Sequence, residues 1–119
     1  MKLVTLDFET YYDKDYTLKK LNTIEYGTDE RFKAHGVGIQ INNGLPKYYT
    51  GKTMAPALRS VFSEPCLLIC QNTKFDAFIL NVHYNVYPSR YADTRSMSKA
   101  LFPTGSASLK ELCIRLFPD

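Results

Sequence analysis

Leu3-Val4-Thr5-Leu6-Asp7-Phe8-Glu9-Thr10 is a short apolar run that closes on two carboxylates with one residue between them. Successive side chains of a strand point to opposite faces. Read as a strand, the run puts Asp7 and Glu9 on one face and Val4, Leu6 and Phe8 on the other. A carboxylate pair on an apolar strand is costly to bury unless something neutralises it. A divalent cation does so, and hard oxygen ligands select Mg²⁺ or Mn²⁺ over zinc. Acids at strand ends are also common, so the pair by itself equally fits a strand that stops at Leu6 and runs into a solvated loop.

Working outward, the totals bound the answer. A chain of 119 residues with 45% hydrophobic content has room for one domain with a real core, and disorder is excluded as the default. The net charge of +3 permits contact with nucleic acid without requiring it. No apolar run approaches the roughly 18 residues of a membrane span, and acids follow too soon after Met1 for a signal peptide. Cys66 and Cys70 flank Leu67-Leu68-Ile69 without metal-ligand spacing, which suits buried core thiols in a reducing, cytoplasmic setting.

After Thr10, Tyr11-Tyr12-Asp13-Lys14-Asp15-Tyr16 reads as a loop leaving the first strand. Residues 17–31 carry no clean periodicity, although Leu18, Leu21 and Ile24 suit a short helical turn. Residues 34–41 predict a second strand, Asn42-Asn43-Gly44 a tight turn and residues 47–50 a third strand, together a hairpin. Residues 53–63 carry helical spacing, with Pro56 tolerated in the first turn. Cys66–Cys70 is a continuous apolar run of the kind buried on both faces of a parallel sheet. Residues 74–84 predict a helix, residues 90–94 a fifth strand, and residues 95–102 and 107–117 two more helices, the last capped by Ser106 or Ser108. The order points to a mixed sheet with helices packed on it.

A second cluster, Gln71-Asn72-Thr73-Lys74-Phe75-Asp76, follows the buried run directly. It puts Asp76 in the first turn of a helix at the carboxyl end of a strand, the edge where open α/β sheets bind ligands. Thr73-X-X-Asp76 equally fits a capping box with Asp in place of Glu, and Asn72 a turn residue.

Together the clusters resemble a known family. Asp7-Phe8-Glu9-Thr10 is similar to the first motif of the DEDD, or DnaQ-like, 3′–5′ exonucleases, and Asn72-Thr73-Lys74-Phe75-Asp76 to their second. Asp93-Thr94-Arg95-Ser96-Met97 and Ser108-Leu109-Lys110-Glu111-Leu112 resemble the segment between the second and third motifs. The Leu-Asp-Phe-Glu-Thr-Tyr start is closest to the proofreading domains of phage-type family A DNA polymerases. The resemblance runs from Leu3 to about Phe117. Two departures stand out. Gln71 occupies a position where the family often has His. The third motif, a Tyr or His followed by a fourth metal-binding Asp, has no counterpart after Asp93, because Asp119 lacks the upstream partner. Asp93 itself reads as a cap or turn at the end of the fifth strand.

The resemblance implies an RNase H-like α/β fold: a mixed five-stranded sheet with flanking helices. It would be a single domain over residues 1–119, truncated at its C-terminal end. It implies removal of 3′ nucleotides from single-stranded DNA by two-metal hydrolysis, as the proofreading part of a DNA polymerase, in the host cell cytoplasm if phage-encoded. Asp7, Glu9 and Asp76 would be the catalytic, metal-binding carboxylates for Mg²⁺ or Mn²⁺, two ions when the set is complete. Thr10, Asn72 and Phe75 would contact the terminal nucleotide, and Tyr11, Tyr12 and Tyr16 offer rings for stacking on bases. The 119-residue chain alone is expected to be nearly inactive, with the remainder of a polymerase supplied in cis or as a separate chain. An uncovered apolar face near Leu109–Phe117 would favour self-association. A degenerate module of the same fold that binds nucleic acid or a protein is the competing expectation.

Overall fold

The computed structural model describes residues 1–118. The elements run β1 (Lys2–Thr10), α1 (Thr23–Thr28), β2 (Ala34–Ile41), β3 (Lys47–Thr50), a 3₁₀ turn (Gly51–Thr53), α2 (Met54–Val61), β4 (Cys66–Cys70), α3 (Thr73–Tyr84), β5 (Arg90–Asp93), α4 (Thr94–Leu101) and α5 (Leu109–Leu116). The strands form one sheet in the order β3-β2-β1-β4-β5. The β1–β2 and β2–β3 pairs are antiparallel, and β1–β4 and β4–β5 are parallel. The fold expected from the sequence is therefore the one observed. Asp119, where a fourth acid was considered, lies outside the described residues.

The two faces of β1 divide as its alternation predicts. Val4, Leu6 and Phe8 are buried, whereas Leu3, Thr5, Asp7 and Glu9 are exposed. On the buried face β1 meets Val37 and Ile39 of β2, Leu68 of β4, Met54 and Leu58 of α2, and Ile79 and Leu80 of α3. Each such aliphatic side chain contributes about 1.5–3 kcal/mol by leaving water. This single core holds α3 against the sheet and so fixes where α3 begins.

The other face is less covered than the sequence suggests. Cys66, Leu68 and Cys70 are buried, but Leu67 and Ile69 between them are only half-buried, so β4 is sealed on one face alone. The helices that follow β5 close this side incompletely. Leu112 of α5 is buried, while Leu109, Ile114, Leu116 and Phe117 remain exposed. Cys66 and Cys70 are free thiols inside the core, and burial pushes both of their pKa values up.

The first helix is the element the sequence leaves least defined. Asn22 builds it with a reciprocal capping box: its side chain accepts from the Glu25 N–H at 2.8 Å, and Glu25 accepts from the Asn22 N–H at 3.0 Å. Gly27 then lets α1 lie directly on α3. A Cβ at this position would stand 2.4 Å from the Phe78 ring. The Gly27 carbonyl also meets His83 Nε2 at 2.6 Å. Gly27→Ala therefore forces Phe78 or α1 to move, and we expect a loss of about 1–3 kcal/mol in a urea melt. An unchanged midpoint would show that the α1–α3 contact yields freely.

Candidate active site

The carboxyl ends of the parallel strands β1, β4 and β5 lie at one edge of the sheet. Lys2–Thr5 of β1 pair with Cys66–Ile69 of β4, but β1 runs on to Thr10 along β2. Its last residues thus overhang β4, and their amides on that side have no strand partner. Asp76 fills the gap: its Oδ1 accepts the Phe8 N–H at 3.1 Å. The acid of the second cluster is thereby hydrogen-bonded to the residue between the two acids of the first.

This contact also overturns the capping-box reading of Thr73. The Thr73 hydroxyl turns into the sheet and donates to the carbonyls of Ala92 at 2.6 Å and Cys70 at 3.4 Å. No side chain caps α3 at its start. Asn72 instead holds the left-handed conformation, φ 66°, which Asn tolerates better than most residues. Its N–H donates to Asp93 Oδ1 at 2.9 Å, and the same oxygen accepts the Arg95 N–H at 2.9 Å. Asp93 therefore caps α4, as its position at the strand end suggests, and also sets the turn that carries Asn72.

The electrostatics are those of acids crowded without a counter-charge. Burial pushes the Asp76 carboxyl up to about 7, the Phe8 N–H opposes the shift, and the charges of Asp7 and Asp93 add to it. Asp7 is raised as well, first by partial burial and then by the charge of Glu9. A divalent cation would relieve both, and an all-oxygen donor set suits Mg²⁺ or Mn²⁺. Yet among the described residues no three His, Cys, Asp or Glu side chains form a ready metal-holding group. Asp76 is committed to the Phe8 amide, while Asp7 and Glu9 project from the exposed face. A cation held here would draw the rest of its ligands from water or substrate oxygens.

The other expected contacts divide. Thr10 meets the Tyr26 hydroxyl at 2.9 Å, and Tyr26 also donates to the Tyr11 carbonyl, so the end of β1 is pinned from below. Phe75 is half-buried and tilted against Tyr26, with ring centroids 5.8 Å apart. Phe8 is core, stacked on Tyr84. Tyr16 cannot stack on a base: it is fully buried, 4.4 Å from Tyr26 ring to ring, beneath the Arg31 guanidinium. The loop that carries it is an ordered turn. Asp13 Oδ1 accepts the N–H groups of Asp15 and Tyr16, and Asp13 Oδ2 accepts the Tyr11 hydroxyl at 2.7 Å. That hydroxyl, with the two amides, holds the Asp13 carboxyl down at about 2. Tyr12 alone stands clear, 72% exposed. Gln71 donates to the Ala107 carbonyl and accepts from the Thr94 hydroxyl.

Two glycines of β2 shape the site beside the acids. Gly36 pairs with Glu9 and Gly38 with Asp7, so the strand beside the acids carries no side chain on their face. Tyr48 of β3 lies across Gly36, where an added Cβ would stand 2.1 Å from the Tyr48 hydroxyl. The Gly-Val-Gly alternation opposite Asp-X-Glu was the available signal.

Comparisons with known proteins agree with this fold. The sequence model of a family described as 3′–5′ exonuclease matches residues 1–118. Among solved structures, NrnC from Brucella melitensis is similar at a TM-score of 0.70 and 22% identity, over 98% of this chain and 52% of that one. Similar too are NrnC bound to pGG, at 0.70 and 22% over 98% and 53%, and NrnC with bound Mg²⁺, at 0.70 and 20% over 98% and 54%. The chain thus spans about half the length of the NrnC chains it matches. The comparison with curated proteins gives no match. Among the described residues no helix is long and apolar enough to cross a membrane.

Proposed function

The chain belongs to the DnaQ-like 3′–5′ exonuclease family of polymerase A proofreading domains, and we propose that it removes nucleotides from the 3′ end of single-stranded DNA. The observation that carries this reading is the hydrogen bond from the Phe8 N–H to Asp76 Oδ1, which unites the two acidic clusters at one sheet edge.

In this reading Asp7, Glu9 and Asp76 hold Mg²⁺ or Mn²⁺ together with water and substrate oxygens. When bound, such ions supply an activated water and charge stabilisation for phosphodiester hydrolysis. Asp7, which feels the charge of Glu9 and adds its own to Asp76, would serve both ions. Glu9 orients the attacking water from the exposed face. Thr10 and Asn72 position the terminal nucleotide, and Phe75 backs its sugar. Tyr12 offers the exposed ring for a base, with Tyr11 behind it. Residues 1–119 act as one exonuclease-like unit, with the water-orienting Tyr or His and a fourth Asp on a segment joined to it or supplied separately. A proofreading role beside a polymerase follows from the family's membership and is part of the same proposal.

A second reading, a non-catalytic module that binds nucleic acid or a protein, is favoured by one observation: no three donors form a ready metal-holding group among the described residues. A labelled oligonucleotide separates the two. Incubated with Mn²⁺ and a segment carrying the third motif, a single strand should yield a ladder shortened from its 3′ end, more slowly for blunt duplex, and none with EDTA, whereas the chain alone should give little. Tight binding without any shortening, even when a segment carrying the third motif is supplied, would leave only the non-catalytic module.

A further inference from the structure

A cleft of about 460 Å³ opens between the loop before α1 and the starts of α3 and α4. Leu18 and Leu21 form its apolar wall, and Asn72, Lys74 and Arg95 face them. Lys74 and Arg95 are both exposed. Among the described residues neither makes an ion pair, whereas Lys2, Lys20 and Arg31 each do. Among the described residues no acidic side chain lines this cleft. Asp93, the nearest acid by contact, spends its oxygens on the Asn72 and Arg95 amides and the Ser96 hydroxyl. One Asp93 oxygen holds both amides, so Asn72 and Arg95 are fixed side by side. The Asn72 side chain makes no cap with α3 and is left to the cleft.

Leu18 is also a wall of a second hollow, about 210 Å³, lined by Thr10, Tyr12 and Tyr26. The two hollows therefore meet at Leu18. One end offers an exposed aromatic ring and the end of β1, and the other offers two unpaired cations and an amide. A single strand has that pattern of needs: a base to stack and an anionic backbone to neutralise.

We propose that Lys74 and Arg95, beside Asn72, form a clamp for backbone phosphates of the single strand whose 3′ end lies at Asp7 and Glu9. The inference rests on the exonuclease reading and adds the groups that hold the strand upstream of the reacting bond. Leu18 turns the strand between the two hollows. Lys74 and Arg95 contact phosphate only, so they act on every sequence alike.

The test is fluorescence anisotropy with a 5′-labelled octathymidylate in EDTA, over a range of salt, for the whole chain. Lys74→Ala and Arg95→Ala should each weaken binding about five- to tenfold. Each should also lower the slope of log affinity against log salt by about 0.7, the share of one phosphate contact on a single strand. Lys52→Ala, the same charge change in the 3₁₀ turn, should do neither. If the chain binds the probe but all three variants share its affinity and slope, the clamp is wrong and the exonuclease reading stands. If the chain fails to bind at any salt, both fall. If the two variants behave as expected but no hydrolysis is seen with Mn²⁺ even when a segment carrying the third motif is supplied, the clamp stands and the exonuclease reading falls.

Discussion

Asp76→Asn should make the metal-free chain more stable at pH 8, by up to about 4 kcal/mol, and should flatten its pH dependence between pH 4 and pH 7. The folded protein holds this carboxyl at about 7 against an ordinary value of 3.8. Each unit of difference is worth about 1.4 kcal/mol. Below pH 4 both folded and unfolded chains carry the proton, and the group costs nothing. Between pH 4 and pH 7 the unfolded chain ionises first, so stability falls as pH rises; above pH 7 the penalty is complete. Asp76 is 2% exposed, so solvent does little to screen it. Asn keeps an oxygen for the Phe8 N–H and carries no charge. Asp7, also raised, tilts the curve the same way. Asp13 and Asp29, each held at about 2, tilt it oppositely, but only below pH 4, where their stabilisation is lost as pH falls. Thermal melts in EDTA from pH 4 to pH 8 decide the matter. A wild-type slope no steeper than that of Asp76→Asn would show that Asp76 ionises without penalty. Mn²⁺ should reverse the ranking at pH 8, stabilising the wild type more than the variant, because cation binding favours the ionised carboxylate.

The readable parts of the chain are those where a local pattern and the tertiary environment agree. The alternation in Leu3–Thr10 assigns faces correctly because one face of β1 is core and the other is open. Asn42-Asn43-Gly44 gives the hairpin, with Asn42 at φ 52° and the Gly44 N–H returning to the Ile41 carbonyl. The unreadable parts are those where a distant group wins. Thr73 abandons its local capping pattern because Ala92 of the neighbouring strand offers an acceptor at 2.6 Å. Tyr16 sits in a polar stretch, yet its hydroxyl donates to the Tyr26 carbonyl at 2.5 Å and its ring is buried by α1. The Cys66–Cys70 run reads as buried on both faces, but how well its second face is covered depends on helices more than twenty residues away. At the site, the sequence supplies the acids and their order. It does not supply the amide of Phe8, which draws Asp76 to the end of β1.

Asp7→Ala and Glu9→Gln should each cut metal-dependent hydrolysis by about 10²–10⁴, the range typical for removing a group that positions or accepts a proton in the reacting step. Both acids lie on the exposed face of β1; Gly38 leaves the adjoining strand bare beside Asp7, while Tyr48 covers Gly36 beside Glu9. A phosphodiester can therefore approach Asp7 closely, and neither side chain supports the core. Losing either should not unfold the chain. The charge of Asp7 is among the causes that raise Asp76, and the charge of Glu9 among those that raise Asp7. Removing one like charge relieves the others, so each variant should melt at the same temperature as the wild type or higher in EDTA above pH 7. Inactivity together with equal or greater stability is a pairing that simple structural damage does not produce. Initial rates of 3′ nucleotide release in Mn²⁺, with anisotropy of the octathymidylate in EDTA, supply the second half of the test. Binding should stay within about twofold, because the clamp at Lys74 and Arg95 is untouched and an exposed like charge repels the strand only weakly. Rates within a few-fold of wild type would remove Asp7 and Glu9 from the reaction. A drop in rate that follows a drop in melting temperature would make them structural.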